Sequence, residues 1–168
     1  MPLEYVISKP ATLGGYALHR LVMGLTNGES AIFVDATDKL IVRTAAAIDA
    51  DSRPIVERQA GDVLAFELRA SCSKKVKGKH RYFDLSDWRA RHDWLRRKGS
   101  QLGFEVMTVH CVPDIATIDN GKGRRFSVDS TDFVGVLKVI DPDIFHKALV
   151  HGVGSTAKTF GHGFLLVT

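Results

Sequence analysis

Two residues three positions apart are the first whose types suggest a reaction. Between Tyr16 and Leu25 the apolar residues Leu18, Leu21, Val22 and Leu25 form one stripe of a helix, and Tyr16, His19 and Met23 share another face. Tyr16 and His19 are therefore neighbours on the helix surface. An imidazole moves protons near neutral pH, and a phenol beside it orients a hydroxyl or donates a hydrogen bond. RNA brings its own nucleophile, the ribose 2′-OH. Proton transfer and charge stabilisation at the phosphate would then suffice for cleavage, with no metal required. By itself, a Tyr-x-x-His pair on a helix is more often incidental than catalytic.

A second candidate lies between Gly152 and Gly163, where Gly152, Gly154, Gly161 and Gly163 surround Lys158. Glycines let a backbone approach a phosphate, and Lys158 supplies charge. The stretch is not a P-loop, because its lysine falls between the glycine pairs and a strand, not a helix, follows. Its plain alternative is a tight loop whose glycines serve turn geometry.

A third is a basic stretch. From Arg69 to Lys98 there are eleven Lys or Arg against three Asp, a local balance of +8 in a chain whose formal charge is +4. Such a stripe is the footprint of a polyanion binder or, equally well, a solvated charged face. The side chains offered to nucleic acid are Arg69, Lys74, Lys75, Lys77, Lys79, Arg81, Arg96, Arg97 and Lys98, with Arg89 and Arg91 continuing the series. Lys122, Arg124 and Arg125 add a smaller set on a hairpin expected between Asn120 and Asp129. Dense long cations suit duplex RNA, which is read through phosphates and shape. His80, His110, His151 and His162 are weaker candidates for chemistry, His162 being the one inside the glycine loop.

The elements that must position these residues follow from hydrophobic period and punctuation. Leu3–Ser8 reads as a strand, Tyr16–Leu25 as a helix, and Ala31–Val34 with Leu40–Val42 as a hairpin. Residues 45–61 carry Pro54 and no clear pattern, so they read as an irregular seam between residues 1–60 and 61–168. Beyond it come a strand at Val63–Arg69, a basic loop, and a helix Trp88–Lys98 capped by Ser86 and stopped by Gly99. Glu105–Val112, Arg125–Val128 and Phe133–Ile140 read as strands. Asp141-Pro142 opens a helix with an apolar face of Ile144, Phe145, Ala148 and Leu149, and Phe164–Val167 is a last strand. This order is α+β, the βαββαβ ferredoxin-like plan in tandem, with an abbreviated first copy.

Composition narrows the setting. Hydrophobic residues make up 45% of 168, enough for a buried core. No apolar run is long enough for a membrane span, and no signal-like segment opens the chain, so a cytoplasmic location is expected. Cys72 and Cys111 stand apart without metal-ligand spacing, predicting two reduced, packed thiols, no zinc and no cofactor.

Four segments, in order over nearly the whole chain, resemble the CasE family of CRISPR repeat endoribonucleases. They are Tyr16-Ala17-Leu18-His19-Arg20-Leu21, then Gly61 to Ala70, then Trp94 to Gly99 ending in Gly103-Phe104. The last and most specific is Phe133-x-Gly135-x-Leu137 followed by Asp141-Pro142 and the lysine-containing glycine loop. The resemblance implies a tandem ferredoxin-like enzyme that cuts on the 3′ side of a repeat hairpin in precursor CRISPR RNA. The products would be a 5′-hydroxyl and a 2′,3′-cyclic or 3′-phosphate. It implies that His19 is the general acid or base, that Tyr16 assists, and that Lys158 and its loop hold the RNA backbone. It also implies CRISPR RNA and other Cas subunits of a Cascade-type complex as partners. The chain departs from the family in being short around residues 45–61 and in carrying Arg69-Ala70-Ser71-Cys72 where Arg-Ala-Asn-Pro is usual. The competing readings are a non-cleaving hairpin-binding subunit of a type I-E or type IV-like complex, and a small-molecule module on the same fold.

Overall fold

The computed structural model describes all residues, 1–168. In the first half, β1 (Leu3–Ser8) leads through a Gly14-Gly15 turn into α1 (Gly15–Leu25). Then come β2 (Ala31–Ala36), β3 (Lys39–Thr44) and β4 (Asp51–Pro54). They form an antiparallel sheet of order β2-β3-β1-β4. Helix α1 lays Leu18 and Val22 over Phe33, Leu40 and Val42, a cluster of five buried residues. Strand β4 lies inside the stretch read as irregular. All four of its residues are exposed, and it forms by backbone pairing with β1, not by burying an apolar face. Only residues 45–50 separate β3 from β4, so this half has no second helix.

The second half contains β5 (Val63–Ala70), β6 (Ser73–Val76), β7 (Lys79–Tyr82), α2 (Trp88–Gln101) and β8 (Phe104–Val112). It continues with β9 (Ile115–Asp119), β10 (Arg125–Asp129), β11 (Thr131–Val139), α3 (Pro142–His151) and β12 (Leu165–Val167). Its sheet order, β12-β5-β11-β8, repeats that of the first half, and each half is thus a ferredoxin-like unit. Strict alternation along β5 sends Leu64, Phe66, Leu68 and Ala70 to α2 and α3, where they join an 18-residue core. The hairpins β6–β7 and β9–β10 project from this frame. The basic stretch after β5 is therefore a paired hairpin and not a loop. The second hairpin begins five residues before Asn120, at Ile115.

Three details of α2 differ from expectation. Its cap is Asp87, whose carboxylate accepts from the Ala90 N–H at 3.0 Å, so Ser86 has no capping role. The helix runs through Gly99 to Gln101. Gly99 is there because a Cβ would lie 2.7 Å from the Phe104 carbonyl oxygen, and the turn is made by Gly103 at φ +77°. Arg91 belongs to no basic face. Its guanidinium is fully buried, pairs with Asp129 at 2.6 Å and donates to Thr131 Oγ1 and to the carbonyls of Phe83, Asp84 and Asp87. The other Asp129 oxygen accepts from the Cys72 N–H at 2.9 Å. One ion pair thus fixes the roots of both hairpins and the start of α2.

A second buried network joins the halves. Arg43 and Glu4 face each other across β3 and β1 on the side of the sheet away from α1. Arg43 donates through Nε to Glu4 Oε2 at 2.9 Å and through Nη1 to the carbonyls of Leu149 and Leu165, both at 2.9 Å. Its guanidinium carbon lies 4.0 Å from the centre of the Phe164 ring, and Arg53 holds the other Glu4 oxygen. Cys72 and Cys111 are free and buried, and burial pushes the Cys72 thiol up to about 12. No helix is long and apolar enough to cross a membrane.

Candidate active site

The loop before α1 is held by Lys9, whose buried ammonium donates to the carbonyls of Leu13 and Thr37 at 2.8 and 2.6 Å and pairs with Asp35 at 2.9 Å. That fixes the entry of the helix that carries Tyr16 and His19. Both side chains are half-buried, with ring centres 5.7 Å apart. The other neighbour of the imidazole is Phe160 at 5.6 Å, and Phe160 in turn meets Phe126 of β10 at 5.4 Å. Four rings therefore run from α1 across the glycine loop to the second hairpin. Phe160 stood in the sequence inside the glycine loop with no role assigned, and Phe126 beside Arg125 carried no signal.

The glycines act mainly on the chain itself. The Val153 N–H donates to the Gly163 carbonyl at 2.8 Å, and the Gly163 N–H to that of Arg69 at 2.7 Å. A Cβ on Gly152 or Gly163 would sit 2.7 Å from backbone across this pinch. One on Gly161 would come to 3.1 Å from the Phe33 ring, and one on Gly154 to 3.2 Å from Trp94. The loop is thereby seated on both halves at once. Lys158 is half-buried within it and donates to the His151 carbonyl at 2.7 Å, at the end of α3. Burial and the nearby charge of Lys98 lower its pKa.

The cations divide into groups. Lys74, Lys75, Arg97 and Lys98 line a cleft of about 460 Å³ together with Ser155 and Thr156 of the glycine loop. Lys77 and Lys79 flank the tip of β6–β7, where Lys77 and Gly78 have φ of +49° and +77°. Lys74 is paired directly across from Arg81, a repulsion that a polyanion would relieve. Lys122 and Arg124 ride the β9–β10 turn without carboxylate partners, while Arg125 pairs with Asp119 at 3.0 Å. Two residues stand apart. Arg96 lies outside the cleft lining, 3.8 Å from Asp93, and Arg69 forms a bidentate pair with Asp132 in a separate pocket that Val34 and Asp35 of the first half also line.

The remaining histidines lie apart from this ring series. His80 bonds Ser73 on the first hairpin, and His110 is exposed on β8. His162 is buried, with Nε2 3.0 Å from Ser130 Oγ and Nδ1 unpartnered. Burial, then the charge of Arg69, lowers its pKa. The folded protein thus prefers neutral His162, and protons bind the unfolded chain more readily. Stability should be full above the ordinary imidazole range and fall as pH drops below roughly 6.5. Melting curves from pH 7.5 to 5 should show this fall, and His162→Gln, which keeps a donor for Ser130, should flatten it.

No cluster of three His, Cys, Asp or Glu side chains is arranged to hold a metal ion.

Comparison with known proteins adds to this geometry. Thermus thermophilus Cse3 bound to an RNA representing a pre-cleavage complex superposes with a TM-score of 0.80 at 21% identity, covering 99% of this chain and 98% of that one. Cas6e from Escherichia coli K-12 gives 0.71 at 22% identity over 100% and 99% of the two chains. A chain of the E. coli Cascade bound to a double-stranded DNA target gives 0.67 at 19%, over 98% of each. These likenesses establish a shared fold. A search of curated protein sequences finds no match. The family model described as CRISPR associated protein matches residues 18–168, from α1 through both hairpins and the glycine loop to the last strand, and the chain belongs to that family.

Proposed function

We propose that the protein is a CRISPR repeat endoribonuclease. It binds a hairpin of precursor RNA across its second half, residues 61–168, and cuts it by attack of a 2′-OH at a site completed by the first half, residues 1–60. The observation that carries this reading is the placement of His19, held between Tyr16 and Phe160 where α1, the glycine loop and a cationic hairpin meet. Fold likeness to an endoribonuclease bound to RNA supports it.

In this mechanism the cleft lined by Lys74, Lys75, Arg97 and Lys98 takes the phosphates of the stem, and the β9–β10 cations take those beside the cut. His19 moves one proton, either from the 2′-OH or to the departing 5′-oxygen, and Tyr16 orients the reacting group. Attack closes a 2′,3′-cyclic phosphate on one product and leaves a 5′-hydroxyl on the other. Lys158 would leave the His151 carbonyl to meet phosphate charge. A cytoplasmic location and retention of the product within a Cascade-type complex with other Cas subunits complete the reading.

The test is cleavage of a labelled cognate repeat hairpin. Cutting should persist in EDTA and vanish when the nucleotide at the cut is 2′-deoxy, with binding unchanged. Tight binding without any cutting would assign the chain to the non-cleaving subunits instead. Association with every polyanion alike would favour a small-molecule module.

A further inference from the structure

We propose that Phe126 is the stacking platform for one unpaired nucleobase beside the scissile phosphate, and so a specificity-determining residue of the site. The inference rests on the ribonuclease reading above and deepens it. Attack by a 2′-OH requires the nucleophile, phosphorus and 5′-oxygen to approach a line, whereas continuous A-form stacking holds the 2′-OH off that line. A nucleotide at the cut must therefore leave its stack, and an aromatic surface can replace the lost contact.

Phe126 is placed to do this. Its register partner on β9, Ile118, is buried and anchors the hairpin, while Phe126 itself remains 37% exposed. Its ring is tilted at 58° against Phe160 with centres 5.4 Å apart, and over a third of the residue stays exposed. Through Phe160 it lies two ring contacts from His19, so a base resting on Phe126 belongs to a nucleotide within reach of the imidazole. Lys122 and Arg124 on the same hairpin have no carboxylate partners and supply charge for the flanking phosphates. An exposed aromatic ring among free cations is the composition of a single-strand binding surface. A phenylalanine needed only to dock the hairpin on the glycine loop would require an apolar side chain but no π face.

The experiment exploits that difference. Phe126→Leu keeps the apolar packing and removes the ring, and Phe126→Trp enlarges the ring. Each variant and the wild type are given an intact repeat hairpin and hairpins made abasic on either side of the cut. Single-turnover cleavage is measured on these RNAs, and affinity on their uncleavable 2′-deoxy forms. The platform role predicts that Phe126→Leu loses roughly 5- to 150-fold in rate or affinity on intact RNA, while Phe126→Trp matches the wild type. It further predicts that one abasic position costs the wild type the same factor and costs Phe126→Leu nothing more. Phe126→Leu within twofold of wild type on intact RNA would overturn the proposal. So would a loss that multiplies with the abasic loss at both positions. If the wild type fails to cut intact RNA, the ribonuclease reading fails, and the affinity comparison still decides the role of Phe126.

Discussion

His19→Ala should lower the single-turnover cleavage rate by about 10²- to 10⁴-fold, the usual span for removing a positioned general acid or base. Affinity for the uncleaved hairpin should stay within about threefold of wild type. The separation is expected because His19 contributes no charge pair and lies outside the five-residue core under α1, whose anchors are Leu18 and Val22. Its ring neighbours are Tyr16 and Phe160. Thermal stability should therefore change little, and a folded, RNA-binding, inactive protein is the outcome to look for. Tyr16→Phe should fall between this variant and wild type, since it keeps the ring against the imidazole and removes only the hydroxyl. An undiminished rate for His19→Ala would place the proton transfer elsewhere in the molecule.

Arg43→Ala should destabilise the protein by about 3–5 kcal/mol, because it leaves a buried partner uncompensated. Glu4 is 4% exposed and would keep only Arg53, whose side chain is 64% exposed. The carbonyls of Leu149 and Leu165 would lose their donor as well. Burial, and less strongly the charge of Arg53, lowers the Arg43 pKa against the pull of Glu4, so the guanidinium is held by its carboxylate against a real desolvation penalty. For a chain of this length the loss corresponds to a fall in Tm of roughly 6–20 °C. Combining Arg43→Met with Glu4→Gln should recover part of it, since the pair is then removed with no charge stranded. Melting of the wild type and the two variants checks the order. A fall of under about 1 kcal/mol for Arg43→Ala would mean that the halves are joined mainly by apolar contact.

Most of the frame is legible in the chain because its signals are local. Alternation marks β5, and the Asp141-Pro142 pair marks the start of α3 with the expected cap, the Asp141 carboxylate accepting from Ile144 at 3.0 Å. What escapes reading depends on residues far away. Strand β4, Asp51-Ser52-Arg53-Pro54, has no apolar face and exists because β1 offers an open edge. Gly99 looks like a stop until the Phe104 carbonyl is known to press against it. Arg91 counts as surface charge until Asp129, 38 residues on, takes it into the interior. The candidate site divides in the same way. Tyr16 and His19 are readable as a helical pair, but the ring His19 meets comes from position 160, and that ring's own neighbour from position 126.

The Arg43 network also bears on when the protein becomes whole. The core under the first half's helix is five buried residues, two of them on the helix itself, too few to hold a fold against chain entropy, and the missing second helix adds nothing to them. Its tie to the rest of the molecule runs from Arg43 to Leu149 and Leu165, 106 and 122 residues further along the chain. During synthesis the segment bearing Tyr16 and His19 therefore emerges well before the residues that support it. A chain stalled before residue 165 would hold these side chains on an unsettled helix, and the geometry around His19 comes into being only once β12 has joined.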